Sequence, residues 1–189
     1  MKKLGRVGAL LRRLPTGPVR GAEIGVFRGQ MSMQLLLARR DLFLFMVDSW
    51  APSYAQAASY SATRDYHAHL SPEQQRTHRT YALSSTQFAA DRITVLHMWS
   101  AGAAAQIPDC SLDFVFIDAD HSYAGTAADI AAWLPKLKDG GLLGGHDYCY
   151  GYGPDKQYDF NVIDAVDDAV ARHAWTLELD VDSCWFVRP

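Results

Sequence analysis

Acids and histidines gather where two apolar runs of this 189-residue chain stop. Asp113-Phe114-Val115-Phe116-Ile117 leads straight into Asp118-Ala119-Asp120-His121, and Gly141-Leu142-Leu143-Gly144-Gly145 leads into His146-Asp147. Each run reads as a buried parallel strand, and open α/β sheets bind ligands at the carboxyl ends of such strands. An unperturbed histidine titrates near neutrality, as a general base should. Neighbouring strands lie about 4.8 Å apart, so His121 and His146 could serve one substrate pocket. The plainer alternative makes His121 a helix N-terminal residue with Asp120 as its cap. Two histidines at facing strand ends favour chemistry.

A second constellation lies earlier. Glu23-Ile24-Gly25-Val26-Phe27-Arg28-Gly29 occupies a strand-to-helix turn. Gly25 and Gly29 let backbone approach a ligand, and the helix start behind them can hold a carboxylate. Asp48 closes the next strand at the spacing of a ribose-binding acid. The dinucleotide fingerprint fails, since Phe27 and Gln30 stand where glycines are needed. A nucleoside without phosphates fits better. Glu23, an acid inside an apolar strand, needs a partner, either Arg28 or a ligand's ammonium group.

These residues require a sheet. Strands are expected at Val19 to Val26, Leu42 to Val47, Ile93 to Met98, Leu112 to Ile117 and Leu142 to Gly145. A terminal hairpin is expected from Thr176 to Leu179 and Cys184 to Val187. Helices are expected from Gly29 to Arg40, with Met31, Leu35, Leu36 and Leu37 inward, from Tyr123 to Leu137, and from Phe160 to His173. Lys138-Asp139-Gly140-Gly141 reads as a helix stop. Alternation of strands and helices implies a parallel sheet, and the hairpin makes its last strand antiparallel. Residues 49–90 break the alternation and read as a cap or insertion within a single domain spanning 1–189. Trp50, Tyr54, Tyr60 and Tyr66 in the cap, and Tyr148, Tyr150, Tyr152 and Tyr158 later, suit a partly apolar, hydroxylated ligand or simple packing. Gly151-Tyr152-Gly153-Pro154 reads as a lid. His67, His69, His78, Asp129, Asp167 and Asp168 read as solvated.

Composition narrows the function. With 49% hydrophobic and 21% charged residues the chain is ordinary globular protein. A net charge of -3 gives no support for nucleic-acid binding. The three cysteines have no metal-ligand spacing and read as reduced thiols. Leu4, Val7, Leu10, Leu11 and Leu14 mark a short basic amphipathic helix over about 1–14. It is expected to dock on the domain, with a membrane-surface or homodimer role as the alternative. No apolar run reaches spanning length, and a cytoplasmic location is expected.

The pattern Glu-x-Gly-x-x-x-Gly, then Asp48, then Phe-Ile-Asp-Ala-Asp-His and Gly-Gly-x-x-Gly-Gly-His-Asp-Tyr, resembles class I S-adenosylmethionine-dependent methyltransferases. The nearest likeness is to the small-molecule O-methyltransferases of catechol and macrolide-sugar type. The resemblance covers residues 19 to 187 and implies a Rossmann-like, doubly wound seven-stranded sheet with an antiparallel last strand. It implies that Glu23, Gly25 and Gly29 serve the amino-acid end of S-adenosylmethionine and Asp48 its ribose. Trp99 and Ser100 would line the adenine, and Asp118 would face the reacting centre. Catechol-type relatives hold a divalent metal with an Asp after strand four and an Asp-Asn pair after strand five. The matching residues are Asp118, His146 and Asp147, a set that shifts preference from magnesium towards manganese, iron or zinc. The acceptor would be a small hydroxylated molecule, its proton taken at a metal or by His121 or His146, with Asp118 beside them. A nucleotide-dependent oxidoreductase and a non-catalytic cofactor-binding protein stand as alternatives.

Overall fold

Seven strands form one sheet in the order β3-β2-β1-β4-β5-β7-β6 in the computed structural model, which describes residues 5–149 and 158–189. They are β1 (Val19–Ile24), β2 (Leu42–Asp48), β3 (Ile93–His97), β4 (Leu112–Ile117), β5 (Leu137–Gly145), β6 (Glu178–Asp180) and β7 (Cys184–Val187). The first five run parallel, and β7 is antiparallel to both β5 and β6. The strand order reverses between β1 and β4, which opens a crevice at their carboxyl ends.

The strands form because both faces of the sheet are covered. In β4, Phe114 and Phe116 join the core that contains Leu35, Leu36 and Leu10, while Val115 and Ile117 join the core that contains Ile130, Trp133 and Val166. The first core packs under α1 (Gly5–Leu11) and α2 (Gln30–Ala38), the second under α6 (Tyr123–Trp133) and α7 (Val162–His173). In α7, Val162, Ile163, Ala165, Val166 and Ala169 are buried while Asp164, Asp167 and Asp168 face outward. That is the apolar stripe that holds a helix on a sheet. Truncating Leu35, fully buried in α2, would cost about 2–5 kcal/mol.

Several expectations need correction. Strand β5 starts at Leu137, so the supposed helix stop is strand: Leu137 pairs with Leu112 across a register shift, and Lys138 to Gly140 are exposed. Helix α6 ends at Trp133 in a 3-10 turn over Leu134–Lys136, where Pro135 lacks the N–H that an α-helix needs. A short helix α5 (Ser100–Ala104) follows β3 and carries no periodic signal of its own. Leu37 points outward, 57% exposed. The expected lid at 151–154, with Tyr150 and Tyr152 and the start of the N-terminal helix, lies outside the described residues.

The stretch between β2 and β3 contains α3 (Ala58–Ala62), three 3-10 turns and α4 (Pro72–Thr86). A reciprocal Ser71–Gln74 capping box and Pro72 start α4. Helix α1 buries Val7, Ala9 and Leu10 in the first core, and just after it Arg12 meets Asp180 at 2.8 Å while Arg13 reaches Asp180 at 2.5 Å and Glu178 at 3.1 Å. Cys110, Cys149 and Cys184 are free thiols. Among the described residues no helix is long and apolar enough to cross a membrane.

Candidate active site

A cavity of about 810 Å³ opens at the carboxyl ends of β1, β2, β4 and β5 and is lined by Glu23, Asp48, Asp118, His121, His146 and Asp147. Its volume lies in the range of small-molecule and cofactor sites.

One end is made by the turn after β1. Gly25 has φ +90°, and a Cβ there would lie 1.9 Å from the Asp118 carbonyl oxygen, so only glycine brings β1 this close to β4. Gly29 caps α2 with φ +71°, and a Cβ there would meet the Ala82 backbone of α4 at 2.8 Å. Glu23 is 2% exposed and accepts a hydrogen bond from the Ser32 hydroxyl. Burial pushes its carboxyl up to about 8, against the pull of Ser32. Arg28, expected as a partner, lies instead over the Tyr81 ring at 4.8 Å. Asp48 accepts from the Phe27 N–H and from the Trp50 N–H, each at 2.7 Å, and Trp50 Nε1 donates to the Phe27 carbonyl at 2.8 Å. Its two oxygens keep lone pairs for further donors. Burial raises this carboxyl too.

Trp99 and Ser100 line the same cavity beside α5, but they differ. Trp99 is 52% exposed, whereas the Ser100 hydroxyl accepts from Trp133 Nε1 at 2.9 Å. Asp129 is a correction: it is buried on α6 and not solvated, and burial lifts its carboxyl to about 7 while Ser100 draws it down. The alanine-rich sequence of α6 gives no polar face by which that burial could be read.

The other end collects charge. Asp118, His121 and Asp147 each offer a ligand atom, and these atoms lie within 4.8 Å of one another. His121 Nε2 is 3.0 Å from Asp147 and 3.5 Å from Asp118, yet it is aligned for a hydrogen bond with neither. Asp120 accepts from the Ser122 N–H at 2.8 Å, but the cap of α6 is Ser122 and not Asp120, so His121 precedes the helix and does not open it. His146, expected among the metal ligands, flanks the group. Its Nδ1 is 3.0 Å from Asp147 and 3.8 Å from Asp118, and its Nε2 lies 3.7 Å from Asp182. Left-handed backbone at Asp147, φ 58°, turns that carboxylate back between the two rings.

Two residues of this end carry no sequence signal. Arg6 of α1 forms an ion pair with Asp118 Oδ2. Asp65, from the cap, lies 2.7 Å from His121 Nδ1. Although burial opposes it, Asp118, Asp147 and Asp65 hold the His121 ring protonated well above its ordinary range, and His121 and His146 hold Asp147 below the usual carboxylate range.

Residues 22–148 match the sequence model of a family described as a methyltransferase domain. The chain is a class I S-adenosylmethionine-dependent methyltransferase. No curated protein sequence matches this methyltransferase. Among solved structures it is similar to a Corynebacterium glutamicum protein, at 15% identity and a TM-score of 0.66 over 97% of this chain and 78% of the other. It is also similar to a SAM-dependent methyltransferase from Aquifex aeolicus, at 13% identity and a TM-score of 0.60 over 98% and 89%. A third is a candidate caffeoyl-CoA O-methyltransferase from Staphylococcus aureus, at 15% identity and a TM-score of 0.62 over 97% and 90%. At these identities the likeness is one of fold. The oxidoreductase and the non-catalytic alternatives fall with the family match.

Proposed function

We propose that this methyltransferase moves the methyl group of S-adenosylmethionine to a hydroxyl oxygen of a small molecule, at a divalent metal held by Asp118, His121 and Asp147. The observation that carries the reading is the convergence of those three ligand atoms in the cavity that also holds Glu23 and Asp48. The buried, unaligned His121 Nε2 beside two carboxylates fits a cation. One nitrogen and two oxygens suit manganese, iron or zinc better than magnesium. Bound there, the metal would lower the pKa of the acceptor hydroxyl and orient it.

The chain's own residues do the rest. Glu23 and the Gly25 turn accommodate the amino-acid end of the donor, and Asp48 accepts from its ribose hydroxyls. Methyl transfer is an in-line displacement: the new oxygen–carbon bond forms as the sulfur–carbon bond breaks, S-adenosylhomocysteine leaves as the neutral thioether, and the hydroxyl proton passes to a carboxylate of the cluster and on to solvent. Asp118 and Asp147 place negative charge where that proton departs. In a second reading, favoured by the 2.7 Å Asp65–His121 contact, the neutral form of His121 takes the proton directly at Nε2, after its ring has given up a proton to solvent.

Chelation separates the two. Methyl transfer to a panel of catechols, phenols and sugar alcohols is assayed before and after EDTA, with Mn²⁺ or Fe²⁺ restored. Activity that vanishes and returns with metal supports the first reading. Full activity after chelation removes it, and leaves His121→Gln to test the second. Methylation of only amine or thiol acceptors would overturn O-methylation itself.

A further inference from the structure

Asp65 is buried in the cap, where its two oxygens collect four donors. Oδ2 receives the Tyr60 hydroxyl at 3.0 Å and faces His121 Nδ1 at 2.7 Å. Oδ1 receives the His67 N–H at 3.0 Å and lies 2.8 Å from its Nδ1. A carboxylate buried this deeply is costly unless such partners satisfy it. Only one of the four, His121, belongs to the chemical end of the cavity. With Nδ1 tied to Asp65, the ring presents Nε2 to Asp118 and Asp147. Phe160, its ring centroid 4.4 Å from that of His121, limits rotation of the imidazole.

We propose that Asp65 is the positioning residue of His121: its carboxylate accepts a hydrogen bond from Nδ1–H and so turns Nε2 towards Asp118 and Asp147, where a cation would meet its lone pair. The inference rests on the metal reading above and deepens it, because a ligating imidazole needs its other nitrogen held by an acceptor. It also gives the cap a part in the chemistry. The segment that would choose the acceptor contains the residue that aims the histidine.

The test uses the full chain. Mn²⁺ affinity is measured by calorimetry for wild type, Asp65→Asn and Tyr60→Phe. S-adenosylhomocysteine affinity and the unfolding midpoint report an intact fold. Asparagine keeps the size of Asp65 but offers one acceptor oxygen to four donors. D65N is expected to weaken Mn²⁺ binding about tenfold to a hundredfold. It is also expected to abolish the downfield Nδ1–H proton resonance of His121, assigned by its absence in His121→Gln. Y60F removes a different donor to the same carboxylate and leaves Mn²⁺ affinity unchanged. Wild-type Mn²⁺ affinity in D65N with the resonance intact overturns the proposal. So does equal loss in Y60F, which would make Asp65 a strut of the cap. If wild type binds no Mn²⁺, the metal reading fails by itself and the resonance decides: loss in D65N supports positioning, persistence overturns it. Should D65N not fold, Asp65→Glu, which displaces the charge by one methylene, replaces it with the same outcomes.

Discussion

Asp48 and Asp147 both follow a parallel strand and both face the same cavity, yet they are held in opposite ways. Asp48 is fixed by backbone N–H groups of Phe27 and Trp50, close by in the β1 and β2 turns. Asp147 is held by the rings of His121 and His146, which are themselves held by Asp65, Asp118 and Asp182. The first arrangement is neutral-donor capture, made once by the main chain. The second is a network of charges, most of them buried, that come from four parts of the chain. A site with rigid backbone donors keeps its shape when empty, whereas a cluster of charges responds to whatever cation enters it.

The largest expected effect separates those two ends. Asp147→Asn should lower methyl transfer about 10²–10⁴-fold while S-adenosylhomocysteine affinity stays unchanged. A parallel loss of affinity in calorimetry would show that the ends are not independent. Next, Asp48→Ala should weaken S-adenosylhomocysteine binding about tenfold to a hundredfold, since hydrogen bonds to a charged group contribute about 1.5–3 kcal/mol. Mn²⁺ affinity should not move. Metal at a hundredfold excess over Kd should then stabilise the wild-type chain by about 2.7 kcal/mol, raising the unfolding midpoint by several degrees. D147N should lose that shift and D48A keep it.

A smaller effect comes from Glu23, whose carboxyl rises from 4.5 to about 8 because it is buried. The folded-state value is the higher one, so its contribution to stability is complete below about 4.5 and is lost as pH rises to about 8. Unfolding midpoints across that interval should fall less steeply for Glu23→Gln than for wild type, and identical slopes would refute the assignment. The smallest effect belongs to α1. Arg13 has paired acids and lies 4.3 Å over the Phe186 ring. Arg13→Ala should cost about 1 kcal/mol in chemical denaturation.

Legibility in the sequence divides along the same line. That Glu23, Gly25 and Gly29 lie at one turn, with Asp48 at the end of the neighbouring strand, was readable because a strand-to-helix turn is local: the residues that shape it are neighbours in the chain. Asp118 and Asp147 were readable as polar ends of apolar runs. Which of the two rings, His121 or His146, comes nearer to Asp118 was not readable, because it depends on how they turn once Asp147 adopts a left-handed backbone. Asp65 lies 56 residues from His121 and Arg6 lies 112 residues from Asp118, so neither spacing nor periodicity could connect them. The start of β5 at Leu137 was hidden by Asp139 and two glycines, which fall in the irregular stretch where pairing with β4 jumps from Leu137 to Leu142.

By itself the chain's pattern of apolar runs determined the parallel sheet, its antiparallel last strand and the crevice above it, since continuous burial on two faces leaves few other arrangements. Only the tertiary structure decided which charges share that crevice. Coulomb and hydrogen-bond partners are selected by distance in space, and a helix from the first residues and an aspartate from the cap reach the reacting end only after the sheet has closed beneath them.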